Sequence, residues 1–441
     1  MKKSLFAVAA VTAFAGAAQA QSSVTVYGIL DVGYIGSNTT YNANDGAAYG
    51  ASSSKGVTKA TTSQFGASAE SSSRLGFKGT EDLGGGMQAL FTVEMGLNPA
   101  TAQLSGSSAM AKEAGGLVQT TNTTGSAVDN RQSFVGLHKN GIGQFSIGRQ
   151  YTTVFQEASA TSPNQQNNVN GDVIYTPSSN AGNNNTGMAG NSAYTTRADN
   201  ALMVNTDSFG GFKAGGMYAM ANGNTTLINN GTSAPSAGGV ANWSGWGLNA
   251  DFTWQKLYIG AAYQSFKTQY TAAQYSTNLV VNLAGAGAVS GQLIPSTTLF
   301  QATNLSDKQT YVAGTYDFGI LKAYLQWIGR KVQQDTAAAG FAGAQVNRNA
   351  QQIGVRSFIT PTIEAWGSIG NGKYTGPIVV ANTQPGSVNF IGFQLGANYL
   401  LSKRTNLYAI YGQTQTSAST SGAVGAGSSA NQYAVGVRHT F

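Results

Sequence analysis

The sequence predicts an all-β protein, a single transmembrane antiparallel β-barrel of 16 strands behind a cleavable leader. Three observations carry that prediction. Charged residues make up only 9% of the chain, against about 25% in ordinary soluble domains. Period-two runs of apolar and small or polar residues recur along the chain, separated by turn residues, which is the signature of a membrane barrel. After residue 20 there is no uninterrupted apolar stretch of the roughly eighteen residues that a helical membrane span requires.

The leader comes first. Lys2 and Lys3 form a short basic region, Leu5 to Ala18 an apolar run, and Ala18-Gln19-Ala20 a small-x-small cleavage site. That is a secretory signal peptide over 1–20, with cleavage between Ala20 and Gln21, because the run is too short to cross a bilayer. Its removal takes two of the 24 basic residues and none of the 17 acids. The barrel domain is expected over 21–441, without an internal domain boundary.

The strands follow. In Val24 to Val32 one face reads Val24, Val26, Leu30, Val32 and the other Thr25, Tyr27, Ile29, Asp31. Over Met87 to Met95, Ala89, Phe91, Val93 and Met95 oppose Gln88, Thr92 and Glu94. Leu257, Ile259, Ala261 and Tyr263 likewise oppose Tyr258, Gly260, Ala262 and Gln264. Lipid takes the apolar face of each strand and the lumen takes the other.

Connections give the count. Seven tight turns are expected near 83–86, 140–143, 209–211, 255–256, 317–319, 360–362 and 402–404. Eight long polar segments lie between them, at about 35–72, 97–129, 152–196, 221–244, 266–308, 330–349, 371–389 and 413–430. Fifteen connections join sixteen strands. Short turns on one rim and long loops on the other is the asymmetry such barrels show. The last strand sends Tyr433, Val435, Val437, His439 and Phe441 outward, and Gln432, Ala434, Gly436, Arg438 and Thr440 inward. Pairing it with the first strand leaves no edge.

Several stretches resemble the general porins of the Gram-negative outer membrane. They are Ser22 to Gly28, Ser73-Arg74-Leu75-Gly76-Phe77-Lys78-Gly79-Thr80-Glu81-Asp82-Leu83-Gly84, Asn130-Arg131-Gln132-Ser133-Phe134-Val135-Gly136-Leu137, Gly148-Arg149-Gln150-Tyr151, Leu401 to Thr405, and Arg438-His439-Thr440-Phe441. The resemblance runs in register from 22 to 441. It implies a homotrimer in the outer membrane, reached after export to the periplasm and working as a water-filled channel for small ions and hydrophilic solutes. It also implies that the third external loop folds into the pore. Its other implied partners are outer-membrane lipids and the barrel-assembly machinery, which would read Phe441 as its signal.

By the same resemblance, a basic cluster on the wall falls on Arg74, Arg131 and Arg197. Parity agrees for Arg74, which shares a face with Gly76, Lys78 and Thr80. A lumen place also fits the about 2–4 kcal/mol that lipid-facing Arg costs at mid-bilayer. Glu94 is lumen-facing by parity and is expected to contribute to the constriction field. Ile29 stands where some family members have a wall lysine. The family's loop acids fall near Ser162 and Gln166, which carry none, and Glu157 and Asp172 are the acids left in that segment. Permanently charged guanidinium groups with few facing acids predict a preference for small anions. Arg356 and Arg438 are lumen-facing by alternation, and the face of Arg149 is ambiguous.

Other chemistries find little support. The two histidines, His138 and His439, fall near the short-turn rim on the apolar face, and the chain has no cysteine and no metal-ligand spacing. Gly285-Ala286-Gly287 lacks the third glycine of a dinucleotide fingerprint, since Ser290 stands there. Basic residues do not cluster as a nucleic-acid footprint would require. No enzyme, cofactor, metal or nucleic-acid partner is therefore expected. The alternative function is a surface adhesin or receptor acting through the long loops.

Overall fold

The inner row of the wall is polar and the outer row apolar, the reverse of a soluble protein. In the computed structural model, which describes residues 23–42, 57–100, 129–176, 188–190, 193–225, 239–270, 304–336, 345–376, 386–417 and 427–441, six glutamines on inward positions are at most 2% exposed. They are Gln264, Gln309, Gln326, Gln352, Gln394 and Gln432. Val24, Val135, Leu248, Ile353 and Leu395 are more than half exposed. Such an inversion is stable only where hydrocarbon replaces water outside.

The wall begins with β1 (Ser23–Asn42), β2 in two pieces (Val57–Ala67 and Arg74–Gly84), β3 (Met87–Gly96), β4 (Asp129–Lys139) and β5 (Gly143–Tyr151). It continues with β6 (Thr195–Thr206), β7 (Phe212–Thr225), β8 (Gly239–Trp254), β9 (Leu257–Tyr270) and β10 (Asn304–Asp317). The last six are β11 (Lys322–Thr336), β12 (Gln345–Thr360), β13 (Ile363–Gly376), β14 (Gly386–Leu400), β15 (Thr405–Thr416) and β16 (Ser428–Thr440). Each pairs antiparallel with the next, and β16 closes on β1, with Ile29 opposite Thr440 and Tyr41 opposite Ser428. Closure matters because each unpaired backbone group facing lipid would cost several kcal/mol. A short strand, Met188–Gly190, adds to the edge of β6.

The 16-strand antiparallel barrel is therefore as the sequence predicts, and all seven tight turns join the expected neighbours. At the first turn Gly84, Gly85 and Gly86 have φ of 80°, 60° and 75°, the left-handed region that glycine enters without strain. Aromatic pairs mark the bilayer. Trp246 and Trp254 on β8, and Tyr433 and Phe441 at the end of the chain, point outward eight residues apart. At about 3.4 Å per residue and a tilt near 40° that is roughly 20 Å along the membrane normal, close to a barrel's apolar band.

Two expectations change. The strands outrun the membrane: β1 reaches Asn42 and β2 begins at Val57, inside a segment read from sequence as loop. And β2 is interrupted at 68–73, where the chain turns inward. There the buried Asp31 carboxylate accepts from the Glu70 and Ser71 backbone N–H at 2.8 and 2.6 Å and from Tyr408 Oη at 2.6 Å.

Between β5 and β6 the chain does not stay outside the ring of strands. Thr152 caps α1 (Thr153–Ala160) by accepting from Phe155 N, as a helix N-terminus requires. The segment 161–176 then bonds to one inward side chain after another. Thr161 meets Tyr311 at 2.6 Å, Asn164 donates to Ser368 at 2.9 Å, and Asn167 donates to Gln394 at 2.6 Å. Asn170 N donates to Gln432 at 2.9 Å, and Val173 N to Gln352 at 3.0 Å. The wall is smooth where the segment lies. A Cβ at Gly412 would overlap the Asn170 carbonyl, and one at Gly392 the Gly171 carbonyl, so glycine there permits the close approach.

Candidate functional site

Across the lumen from that seam, β1 to β6 bring together the residues that the sequence singled out. In the pairing of β3 with β4, Glu94 lies opposite Gln132 and Met95 opposite Asn130, so Arg131 is the extra residue of a β-bulge. Bulges re-aim side chains. Here Arg131 Nε donates to Glu94 Oε1 at 2.7 Å, with both side chains nearly buried. Arg74, from the adjoining strand, lies 3.9 Å from the other oxygen of Glu94 and keeps 22% of its side chain exposed. Tyr27 Oη donates to that same oxygen at 3.2 Å.

Tyr151, at the end of β5, completes the group. Its hydroxyl accepts from Arg131 Nη2 at 3.0 Å. The Arg197 guanidinium stands 5.4 Å from its ring centroid, and the ring stacks on Phe155 of α1 at 4.0 Å. Cation–π contact of this kind orients a guanidinium without neutralising it. The buried Arg197 Nε has no hydrogen-bond partner. Arg131 and Arg74 engage Glu94, and Asp129 acts on Arg131 and Arg197, so three cations face two carboxylates, a local excess of one positive charge beside the lumen.

The two loop acids lie elsewhere. Glu157, on α1, accepts from Asn249 Nδ2 and Tyr258 Oη, both at 2.8 Å. Burial pushes its carboxyl up to about 7, the two hydrogen bonds working against the rise. Asp172 accepts from Asn164 Nδ2 at 2.9 Å and from the Ile174 and Tyr175 N–H at 2.8 and 2.9 Å. Burial raises its pKa as well. Neither contacts an arginine of the cluster. Ser162 Oγ accepts from Gln166 N at 3.0 Å, and Gln166 Nε2 donates to Tyr194 Oη.

The remaining positions resolve individually. Arg356 pairs with Glu364 and donates to the Pro163 carbonyl at 2.9 Å. Arg330 pairs with Asp307 at 2.6 Å. Arg348 lies buried 4.8 Å from the Phe390 ring and donates to the Val173 carbonyl. Arg438 donates to Asn406 Oδ1 at 3.4 Å, and Arg149 pairs with Asp199. His138 meets Asp207 at 3.0 Å beside a tight turn, and His439 meets Thr405 at 2.9 Å. Phe441 exchanges both backbone hydrogen bonds with Gly28. Ala20 and Gln21 lie outside the described residues. Sequence reasoning missed Tyr151 and Tyr27. Tyr151 closes the Gly148-Arg149-Gln150-Tyr151 motif, where the basic residue drew the attention.

A closed barrel with a polar lumen, an apolar belt and a charged cluster on its wall has the build of an outer-membrane channel. Residues 7–441 match the Gram-negative porin family, and the chain belongs to it. An outer membrane porin protein of Bordetella pertussis is 29% identical over the full length of both chains. One from Delftia acidovorans is 46% identical over 97 residues, which is 21% of this chain and 22% of that one. Among solved structures, the anion-selective porin from Comamonas acidovorans superposes with a TM-score of 0.57 at 19% identity, covering 96% of this chain and 100% of its own. The protein is an outer-membrane porin of a Gram-negative bacterium. Neither the relatives nor the described residues support the adhesin alternative.

Proposed function

We propose that this porin is a passive diffusion channel with a preference for small anions, narrowed by α1 and the segment that follows it. The excess of Arg74, Arg131 and Arg197 over Glu94 and Asp129 is the observation that carries the reading. Fixed positive charge beside a narrow aqueous neck attracts anions and repels cations, over a Debye length of about 8 Å at physiological salt. The Comamonas barrel of the same fold is an anion-selective porin, which accords with it. Glu94, Glu157 and Asp172 act as minor terms: the first is engaged by two arginines and the others by neutral donors. In planar bilayers under a KCl gradient, the reversal potential should take the anion-selective sign, and salt should weaken it. A cation-selective channel would overturn the reading.

Three further parts of the reading rest on sequence and kinship. The channel works as a homotrimer, as in the trimer form of a related Vibrio cholerae barrel, and cross-linking of membranes should yield a three-subunit band. The mature chain starts at Gln21, which mass spectrometry of outer-membrane material checks; an intact Met1 would refute it. Phe441 is the signal for the barrel-assembly machinery, so its deletion should lower the heat-modifiable folded fraction in cells.

A further inference from the structure

One guanidinium of the inner wall has no counter-ion. Arg348 of β12 is 1% exposed, the largest side chain so closed off among the described residues. Its Nε donates to Tyr374 Oη at 3.1 Å, its Nη2 donates to the Val173 carbonyl, and it lies 4.8 Å from the centroid of the Phe390 ring. Nη1 is buried and has no hydrogen-bond partner. Arg197 and Arg438 also keep an unbonded Nε, but both residues are partly exposed, whereas Arg348 is not.

The carboxylates of the same wall are committed elsewhere. Arg330 of β11 lies directly opposite Arg348, about 5 Å away at Cα and on the same face. Asp307 gives Arg330 both its oxygens, at 3.0 Å to Nε and 2.6 Å to Nη2, and the second also accepts from Gln309. Asp172, one residue before the carbonyl that Arg348 holds, accepts from Asn164 and from two backbone N–H groups. Among the described residues no carboxylate lies within ion-pair distance of Arg348. Two guanidinium groups thus face one carboxylate, beside the apolar cluster of Val173, Val332, Val346 and Phe390.

Such a place calls for an anion. An uncompensated charge in an apolar setting is unfavourable, and a buried N–H left unbonded adds its own desolvation penalty. The counter-charge has to be small, because Arg348 is closed off by the wall and the inserted segment. It has to suit a single nitrogen as well. The Nε–Nη2 edge that would grip an oxyanion in two places is already taken by Tyr374 and Val173. A spherical monovalent anion meets both conditions, and chloride and bromide are the probes of that class.

We propose that Arg348 holds a halide ion at Nη1, a structural anion that neutralises the guanidinium and so keeps Val173 and the inserted segment against β12. The site is separate from the cluster of Arg74, Arg131 and Arg197 and does not rest on the channel's ion preference. It is closed off, whereas Arg74 keeps 22% of its side chain exposed. Its role is to hold the segment, not to conduct.

Two measurements on the folded porin in nonionic detergent test this. Crystals soaked in bromide should show an anomalous-scattering peak at hydrogen-bond distance from Arg348 Nη1. At constant ionic strength, with chloride replacing gluconate, the melting temperature should climb by a few degrees and then level off, as saturation of one site requires. Arg348→Gln removes the charge and with it the need for the ion, so it should melt at the same temperature in both salts. Arg356→Gln removes a guanidinium that has its own carboxylate, so it should melt lower yet keep the full chloride response. A bromide map without a peak at Arg348, or a wild type indifferent to chloride, would overturn the assignment. So would an equal chloride response in Arg348→Gln, or loss of the response in Arg356→Gln. Should Arg348→Gln fail to fold, the bromide map decides alone.

Discussion

The lumen holds two sets of arginines under opposite rules. On the β10–β13 wall, Arg330 and Arg356 each own a carboxylate, Asp307 and Glu364, and Arg356 also holds the Pro163 carbonyl of the inserted segment. On the β2–β6 wall, Arg74 and Arg131 share Glu94, and Arg197 lies against the Tyr151 ring. On that first wall Arg356 and Arg348, the latter without a carboxylate, hold the Pro163 and Val173 carbonyls of the segment; the second set leaves positive charge beside the lumen. Residue type does not separate structure from function here. What each guanidinium touches does: carbonyls of the segment on one wall, and Glu94 and the Tyr151 ring on the other.

If that contrast is right, Arg356→Gln should act on stability alone. It leaves Glu364 buried without its cation, and breaking such a pair costs about 3–5 kcal/mol. Heat-modifiability on gels should show a large drop in melting temperature, with the reversal potential of the surviving folded fraction unchanged. A shifted reversal potential would erase the distinction between the two walls.

The seam is the next place to press. Gly412→Val would drive a side chain into the Asn170 carbonyl, and overpacking of this kind costs about 1–3 kcal/mol. The variant should melt earlier and pass larger sugars in liposome swelling. Unchanged size exclusion would mean that the segment does not set the cutoff.

Much of this was legible in the sequence. Period-two alternation gave the outward rows and placed Arg74, Glu94 and Gln432 in the lumen, because inside the bilayer each face has a fixed polarity. Above the bilayer that rule lapses. Ser37-Asn38-Thr39 in β1 and Thr61-Thr62-Ser63 in β2 are polar on both faces, so those strand ends read as loop. The partners of Glu157 were also hidden. A loop acid reveals nothing of its destination when Asn249 and Tyr258 lie 92 and 101 residues away. The bulge that presents Arg131 to Glu94 is a matter of register between strands, which composition does not encode.

Glu157 gives a subtler probe of the lumen's positive charge. Its carboxyl is raised from an ordinary 4.5 to about 7, so it is neutral in the folded protein where it would already be ionised in the unfolded chain. Its contribution to stability is therefore full below about pH 4.5 and is lost as pH rises through about 7. Ionisation also adds negative charge to α1, so anion preference should weaken modestly above neutral pH. Glu157→Gln should flatten that dependence; a profile equally steep in the variant would assign the titration to another group.

Arg74 offers the most direct test. It is the outlying partner of Glu94, 3.9 Å away and partly exposed, and Glu94 keeps Arg131 at 2.7 Å when Arg74 is lost. Arg74→Gln should therefore fold and melt almost as the wild type does while removing one positive charge from the cluster. The deciding measurement is the reversal potential of wild type and Arg74→Gln under the same KCl gradient in planar bilayers. The account predicts an anion-selective wild type and a variant displaced toward the cation side. Identical potentials, or a cation-selective wild type, would contradict it.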